Sequence, residues 1–217
     1  MKNTLHSWDI TPKEAIALQK KLAGLVQTGN SFDTIRTVGG VDVGFSGGGA
    51  RAAIAVLDVS SLALIDSAVV NVTVSFPYIP GLLSFREGPA IIAALEAVTI
   101  KPDLLIIDGQ GLAHPRRFGL ACHIGVVTGL PTIGCAKSRL CGTYRAPGRN
   151  RGSHTALVDQ GDVVGAVVRT RTGVKPVFVS VGHRIDLQTS IGWVLRCCTR
   201  YRLPETTRRA HHLAGSR

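Results

Sequence analysis

The chain has 217 residues, 45% of them hydrophobic and 18% charged, which excludes disorder of the whole chain. A length in this range suits one domain able to bury roughly 70% of its unfolded surface, without help from a disulfide or a structural metal. The net charge of +11 is unevenly spread: residues 1–136 balance ten basic against ten acidic side chains, and residues 137–217 hold fifteen basic and four acidic ones. Eighteen of the 25 basic residues are arginine, whose planar fork grips phosphate, so a basic half beside a neutral half points to a nucleic-acid partner. The five cysteines are an odd number without CxxC spacing, which argues against a disulfide framework or a four-cysteine zinc site. No run reaches the ~18 apolar residues of a membrane span, and Met1–Asp9 is too polar for a secretory signal; a reducing cytoplasm and no membrane partner are expected.

In chain order, Thr11-Pro12-Lys13-Glu14 starts a helix, with Thr11 as cap, Pro12 at the first helical position and Glu14 closing a capping box. Apolar spacing carries that helix to about Gln27. Three β-like runs follow, Ile35–Phe45, Ala52–Val59 and Leu62–Val74, separated by turn residues at Ser46–Gly49 and Ser60-Ser61, which is the pattern of an antiparallel meander. A proline-studded loop, Phe76–Phe85, leads to a helix expected from Pro89 to Val98. Asp103–Ile107 is a short continuous apolar strand, the kind buried on both faces. A helix over Phe118–Thr128 and a strand over Thr132–Cys135 complete a strand–helix–strand unit, whose strands lie parallel. Arg139–Ser153 reads as a loop, Val163–Arg169 and Val177–Val181 as strands, and Leu187–Thr199 as a helix capped by Asp186, before a basic tail. The sum is an α/β domain, a mixed sheet of meander plus parallel strands flanked by helices, with short flexible ends at about 1–10 and 213–217.

Asp42 and Asp108 both stand where apolar sequence gives way to glycine, in Gly40-Val41-Asp42-Val43-Gly44 and Ile106-Ile107-Asp108-Gly109. Ligand crevices of α/β sheets form beyond the strand ends. If the two strands are neighbours, the carboxylates converge and call for a cation, and hard oxygen donors suit Mg²⁺. The alternative for each is a turn-capping aspartate. Glu87, placed just before the expected helix at Pro89, either complements the helix dipole or completes the metal site. His114 and His211 fit water or phosphate contacts as well as plain surface positions. Pro77-Tyr78-Ile79-Pro80 holds an aromatic ring on a stiffened loop, either packed in the core or set as a wedge between bases. Gly81, Gly109 and Gly111 could line a slot for an extruded base.

These stretches, together with Leu83-Ser84-Phe85-Arg86-Glu87, His114-Pro115-Arg116-Arg117, Gly134–Leu140 and Tyr201-Arg202-Leu203-Pro204-Glu205, resemble the endonuclease V family in order and spacing, from about residue 11 to 212. The resemblance implies an RNase H-like fold and Mg²⁺-dependent phosphodiester hydrolysis, with Mn²⁺ able to substitute. The cut would fall at the second phosphodiester 3′ to inosine or deoxyinosine, in DNA or RNA, leaving 3′-hydroxyl and 5′-phosphate ends. The expectation is a monomeric enzyme acting in DNA repair. Carried over residue by residue, Asp42 and Asp108 hold the metal and Glu87 and His211 complete the catalytic group. Pro77, Tyr78, Ile79 and Pro80 form the wedge; Gly81, Leu83, Gly109 and Gly134 shape the hypoxanthine pocket; His114 and Lys137 contact phosphate or backbone. Gln110, where the family often has His or Asn, and Thr206, where a proline is common, depart from the pattern. A nuclease for branched or mismatched strands, and an inactive binding relative, are the alternatives.

Overall fold

Leu104–Ile107 (β4) is fully buried on both faces, and the other strands are laid out from it. The computed structural model describes residues 5–46 and 49–215; the expected turn residues Gly47 and Gly48 and the extreme termini lie outside them. On one side of β4 comes the meander, Thr37–Ser46 (β1), Gly49–Asp58 (β2) and Leu64–Thr73 (β3). On the other come Thr132–Ala136 (β5), His154–Asp159 (β6), Asp162–Val168 (β7) and Val177–His183 (β8). The eight-stranded order is β3-β2-β1-β4-β5-β8-β7-β6, parallel at β1·β4 and β4·β5 and antiparallel elsewhere.

Five helices are seen among the described residues: Pro12–Ala23 (α1), Leu83–Ala97 (α2), Leu120–Thr128 (α3), Leu187–Cys197 (α4) and Glu205–Gly215 (α5). Alternation along the strands sorts the core into two layers. Val38, Leu104 and Ile106 pack with Ile191 and Val194 of α4, whereas Val41, Leu105 and Ile107 pack with Ile91 and Ala94 of α2 and Ile124 of α3. Among the described residues no helix is long and apolar enough to cross a membrane.

The expected capping box forms: Thr11 accepts from the Glu14 amide at 3.3 Å and Glu14 accepts from the Thr11 amide at 2.8 Å. Helix α1 stops short of Gln27 because the chain tightens at Gly24 into three-residue bonds, Leu25 N–H to Leu22 O at 2.9 Å. Four other features differ from the reading above. Helix α2 begins at Leu83 and runs through Pro89, because burial of Ser84, Phe85 and Gly88 favours the helix over the preference of proline for a first turn. Glu87 is therefore inside the helix and does not cap it. Strand β6 is an unexpected edge strand, joined to β7 by a tight turn with positive φ at Gln160 (55°) and Gly161 (89°). The basic tail is helix α5, seated on β1 and β2. Residues 5–10, expected as a flexible end, pack: Trp8 stacks on His123 with ring centroids 4.8 Å apart.

Candidate active site

The parallel register of β1 and β4 ends at Val41↔Ile107. The next residues, Asp42 and Asp108, therefore stand side by side, on the sheet face that carries Val38 and Ile106. Each side chain keeps a narrow opening to solvent, 18% for Asp42 and 20% for Asp108. Helix α5 closes over this face because residue 40 is glycine. A Cβ there would come within 2.3 Å of the Thr206 carbonyl carbon. With that close seat, His211 of α5 reaches Asp42, Nδ1 to Oδ2 at 3.1 Å. Thr206 is fully buried under β1, and with threonine at that position His211 meets Asp42. Lys137, just past the end of β5, sets its ammonium on Asp108 Oδ2.

Glu87 approaches from α2. Burial first, and then the charges of Asp42 and Asp108, push its carboxyl up to about 8, with Arg86 opposing. At neutral pH it holds a proton, because a third carboxylate charge is too many for the site as it stands. Among the described residues no three His, Cys, Asp or Glu side chains are arranged to hold a metal ion by themselves. The donor set nonetheless fits a hard divalent cation, which takes one or two carboxylates and completes its shell with water and phosphate oxygen. The fit is visible in the charges: a cationic lysine and a histidine sit on the two aspartates, and the third acid is forced neutral.

Two residues along from Asp108, the chain turns into a second feature. A cavity of about 150 Å³ is lined by Tyr78, Ile79, Pro80, Gly81, Leu83 and Gln110, among others. Gly81 has φ +80°, and its carbonyl takes three donors: Gln19 Nε2 (3.0 Å), His114 Nε2 (3.0 Å) and Arg116 Nη2 (2.6 Å). A Cβ on Gly81 would also press to 2.7 Å of Arg116 Nη2, so the rim depends on glycine. Gln110 donates Nε2–H to Ser138 O at 2.9 Å, while its Oε1, buried, has no partner among the described residues. Gln110 thus brings to the cavity lining a side chain whose buried carbonyl oxygen is unpaired.

Most of the expected site residues come together, with three distinctions. Tyr78 is 69% exposed at the cavity mouth, so the stiffened loop holds its ring out of the core. Gly109 and Gly134 lie behind the cavity wall; a Cβ on Gly134 would meet Gly111 N at 2.5 Å and the carbonyl carbon of Gln110 at 2.8 Å. His114 is not placed for an open phosphate. It is 3% exposed, its Nε2 donates to Gly81 O, and its Nδ1 accepts from the Arg116 amide. Burial and then the charge of Arg116 push its pKa down to about 4, which keeps the ring neutral in that tautomer. It braces the rim.

Two residues were not singled out from the sequence. Ser84, in the cavity wall, is joined to the buried His123 at 2.8 Å, and His123 to His6 at 2.8 Å. Arg202, inside the closing motif, donates to the carbonyls of Lys137 (2.7 Å), Lys175 (2.9 Å) and Pro176 (2.7 Å), and so fixes the backbone from which Lys137 extends. Its run of arginines signals charge, not this clamp.

A carboxylate pair at adjoining strand ends, with a lysine and a histidine on it and a base-sized cavity beside it, defines an α/β nuclease. The family model for endonuclease V matches residues 20–212. Endonuclease V of Roseiflexus sp. (strain RS-1) is 55% identical over 208 residues, covering 96% of this chain and 94% of that one. The crystal structure of endonuclease V from Streptomyces avermitilis superposes with a TM-score of 0.91 at 48% identity, covering 96% of this chain and 93% of that chain. The chain belongs to the endonuclease V family and is an endonuclease of mixed α/β fold. A further relative, endonuclease V of Ciona intestinalis, has TM-score 0.80 and 26% identity, covering 93% of this chain and 95% of that chain. It was crystallised with a 24-mer DNA containing an inosine followed by a ribo-adenosine.

Proposed function

We propose that the chain cuts nucleic acid beside a deaminated purine, holding inosine or deoxyinosine in the cavity and hydrolysing the second phosphodiester 3′ to it. One observation carries the reading. Asp108 and Gln110, separated by Gly109 alone, serve the carboxylate pair and the cavity, so a single turn at the end of β4 ties base to cut. The unpaired Gln110 acceptor suits the N1–H that deamination of adenine creates, and disfavours adenine, whose N1 carries a lone pair. The Ciona relative's inosine-containing DNA supports the same substrate class.

Asp42 and Asp108 would hold Mg²⁺, or Mn²⁺ in its place, and the ion would supply Lewis-acid stabilisation of charge on the scissile phosphate. The chain's own groups do the rest. His211, its Nδ1 set on Asp42 Oδ2 at 3.1 Å, would present Nε2 as the base for a water proton. Lys137 neutralises Asp108 until substrate arrives and then faces the phosphate. Tyr78 and its prolines open the strand beside the lesion. The products carry 3′-hydroxyl and 5′-phosphate ends, and the enzyme works as a cytoplasmic monomer.

The test is incubation with Mg²⁺ of end-labelled DNA and RNA strands carrying one inosine, beside adenosine controls and a branched, inosine-free DNA. Cutting confined to the inosine strands is expected. Cutting of the branched DNA with the inosine strands intact would replace this reading by the branched-substrate one.

A further inference from the structure

A second, larger cavity of about 480 Å³ meets the site at Asp108 and shares no lining residue with the base cavity. Lys137, Arg202, Arg208, His211 and His212 line it, and among the described residues Asp108 is the one acid in its wall. Not all of that charge is available. Lys137 sits on Asp108, and Arg202 is spent on three backbone carbonyls. Arg208 is different. Among the described residues its side-chain hydrogen bonding is confined to Nη1, which donates to Glu205 Oε2 at 2.8 Å, and its guanidinium carbon lies 3.5 Å from the centroid of the Tyr201 ring. Tyr201, another lining residue, is 41% exposed. The cavity therefore presents a held arginine on an aromatic shelf, directly beside the proposed scissile position.

Sites for single-stranded nucleic acid combine cations that follow the backbone with aromatic faces that take the bases. A strand whose lesion fills the first cavity and whose phosphate lies over Asp42 and Asp108 must leave the site by another route, and the second cavity opens at Asp108. We propose that this cavity is a subsite for the nucleotides 3′ of the cut, with Arg208 holding a phosphate and Tyr201 stacking a base. The proposal rests on the nuclease reading and on the strand direction that reading assigns. The ion pair with Glu205 and the contact with Tyr201 preorganise Arg208, so the side chain is already ordered when the strand arrives.

The test compares two single strands with one inosine each, one ending a nucleotide past the expected cut and one carrying five more. Cutting is measured with Mg²⁺, and affinity on the same strands by fluorescence anisotropy in EDTA. The wild type should prefer the long strand about tenfold in both readouts. Arg208→Gln and Tyr201→Ala should each abolish most of that preference, and Tyr201→Phe should keep it, with thermal midpoints showing that all three variants fold. Arg208→Gln should also reduce the salt slope for the long strand by about 0.7. An equal affinity of the wild type for both strands, or a preference that survives both variants, overturns the proposal. A wild type that keeps the length preference in affinity but cuts neither strand supports the subsite and overturns the inosine reading alone.

Discussion

The neutral and basic halves of the chain give one site opposite things. Residues 1–136 supply the three acids and the turn after β4; residues 137–217, which hold the whole excess of positive charge, place Lys137 on Asp108 and His211 on Asp42. The contrast teaches that the basic half is only in part a phosphate-binding surface. Arg169 donates to the carbonyls of Pro147, Gly148 and Val174, Arg151 to those of Leu195 and Cys198, and Arg202 to three more. These arginines tie loops together at positions where backbone acceptors lack partners in the sheet. Counting charges overstates the electrostatic footprint, because a guanidinium spent on carbonyls still carries charge but has few donors left for phosphate.

Removing one acid should break the partnership most severely. Asp108→Ala takes away half of the carboxylate pair and the partner of Lys137, and cutting should fall about a thousandfold or more, equivalent to several kcal/mol of transition-state stabilisation. Affinity for an inosine strand, followed by anisotropy, should stay within about threefold. Loss of both together would make Asp108 structural and dissolve the contrast between the halves.

Gly40→Ala attacks the seam between the halves. The added methyl would meet the Thr206 carbonyl carbon at 2.3 Å and the Thr207 amide nitrogen at 2.6 Å, both backbone atoms of α5, so α5 must move. About 3 kcal/mol of stability should go, lowering the thermal midpoint by roughly 6–12 °C, and cutting should drop as His211 leaves Asp42. An unchanged midpoint would mean that α5 is not held against β1 as described.

Glu87→Gln acts in the other direction. The wild-type carboxyl has a folded pKa of about 8 against an ordinary 4.5, so the unfolded chain ionises first as pH rises. The stability that neutral Glu87 lends is complete below pH 4.5 and is lost as pH climbs through about 8. In chelator at pH 8 the glutamine variant, which has no charge to bury, should melt roughly 4–8 °C higher, ~2 kcal/mol, and its midpoint should vary less with pH. Equal pH dependence in wild type and variant would remove the crowding of charge on which the metal reading rests. The smallest effect belongs to the exposed Tyr78, the proposed wedge. Tyr78→Ala should weaken binding to inosine in a duplex about tenfold, ~1.4 kcal/mol, and hardly alter binding to single strands. Equal weakening on both would argue against strand opening.

Much of the acid pair was legible in the chain. An apolar run broken by Asp-Gly marks a strand end, and a meander followed by βαβ order makes β1 and β4 neighbours, so the convergence of Asp42 and Asp108 follows from topology. The placement of Glu87 was not legible, because Pro89 looks like a helix start and only the buried Ser84 and Phe85 show that the helix begins earlier. Helix α5 reads as a tail since the residues it buries, Thr206, Thr207 and Ala210, are small and mostly polar; its place is set by the missing side chain at Gly40, a tertiary fit with no local signature. Strand β6 hides for a related reason. As an edge strand it buries fully only Leu157, too little to show an alternating pattern. His114 looked open in a glycine-rich loop, and its two hydrogen-bond partners come from the fold.

The central claim is that the cavity and the carboxylate pair act on one strand at a fixed separation, because the short turn from Asp108 to Gln110 sets it. Mapping the cut at single-nucleotide resolution on a strand with one internal inosine tests this most directly. A single cut at the second phosphodiester on the 3′ side is the predicted result. Cuts on both sides of the inosine, or scattered along the strand, would contradict it.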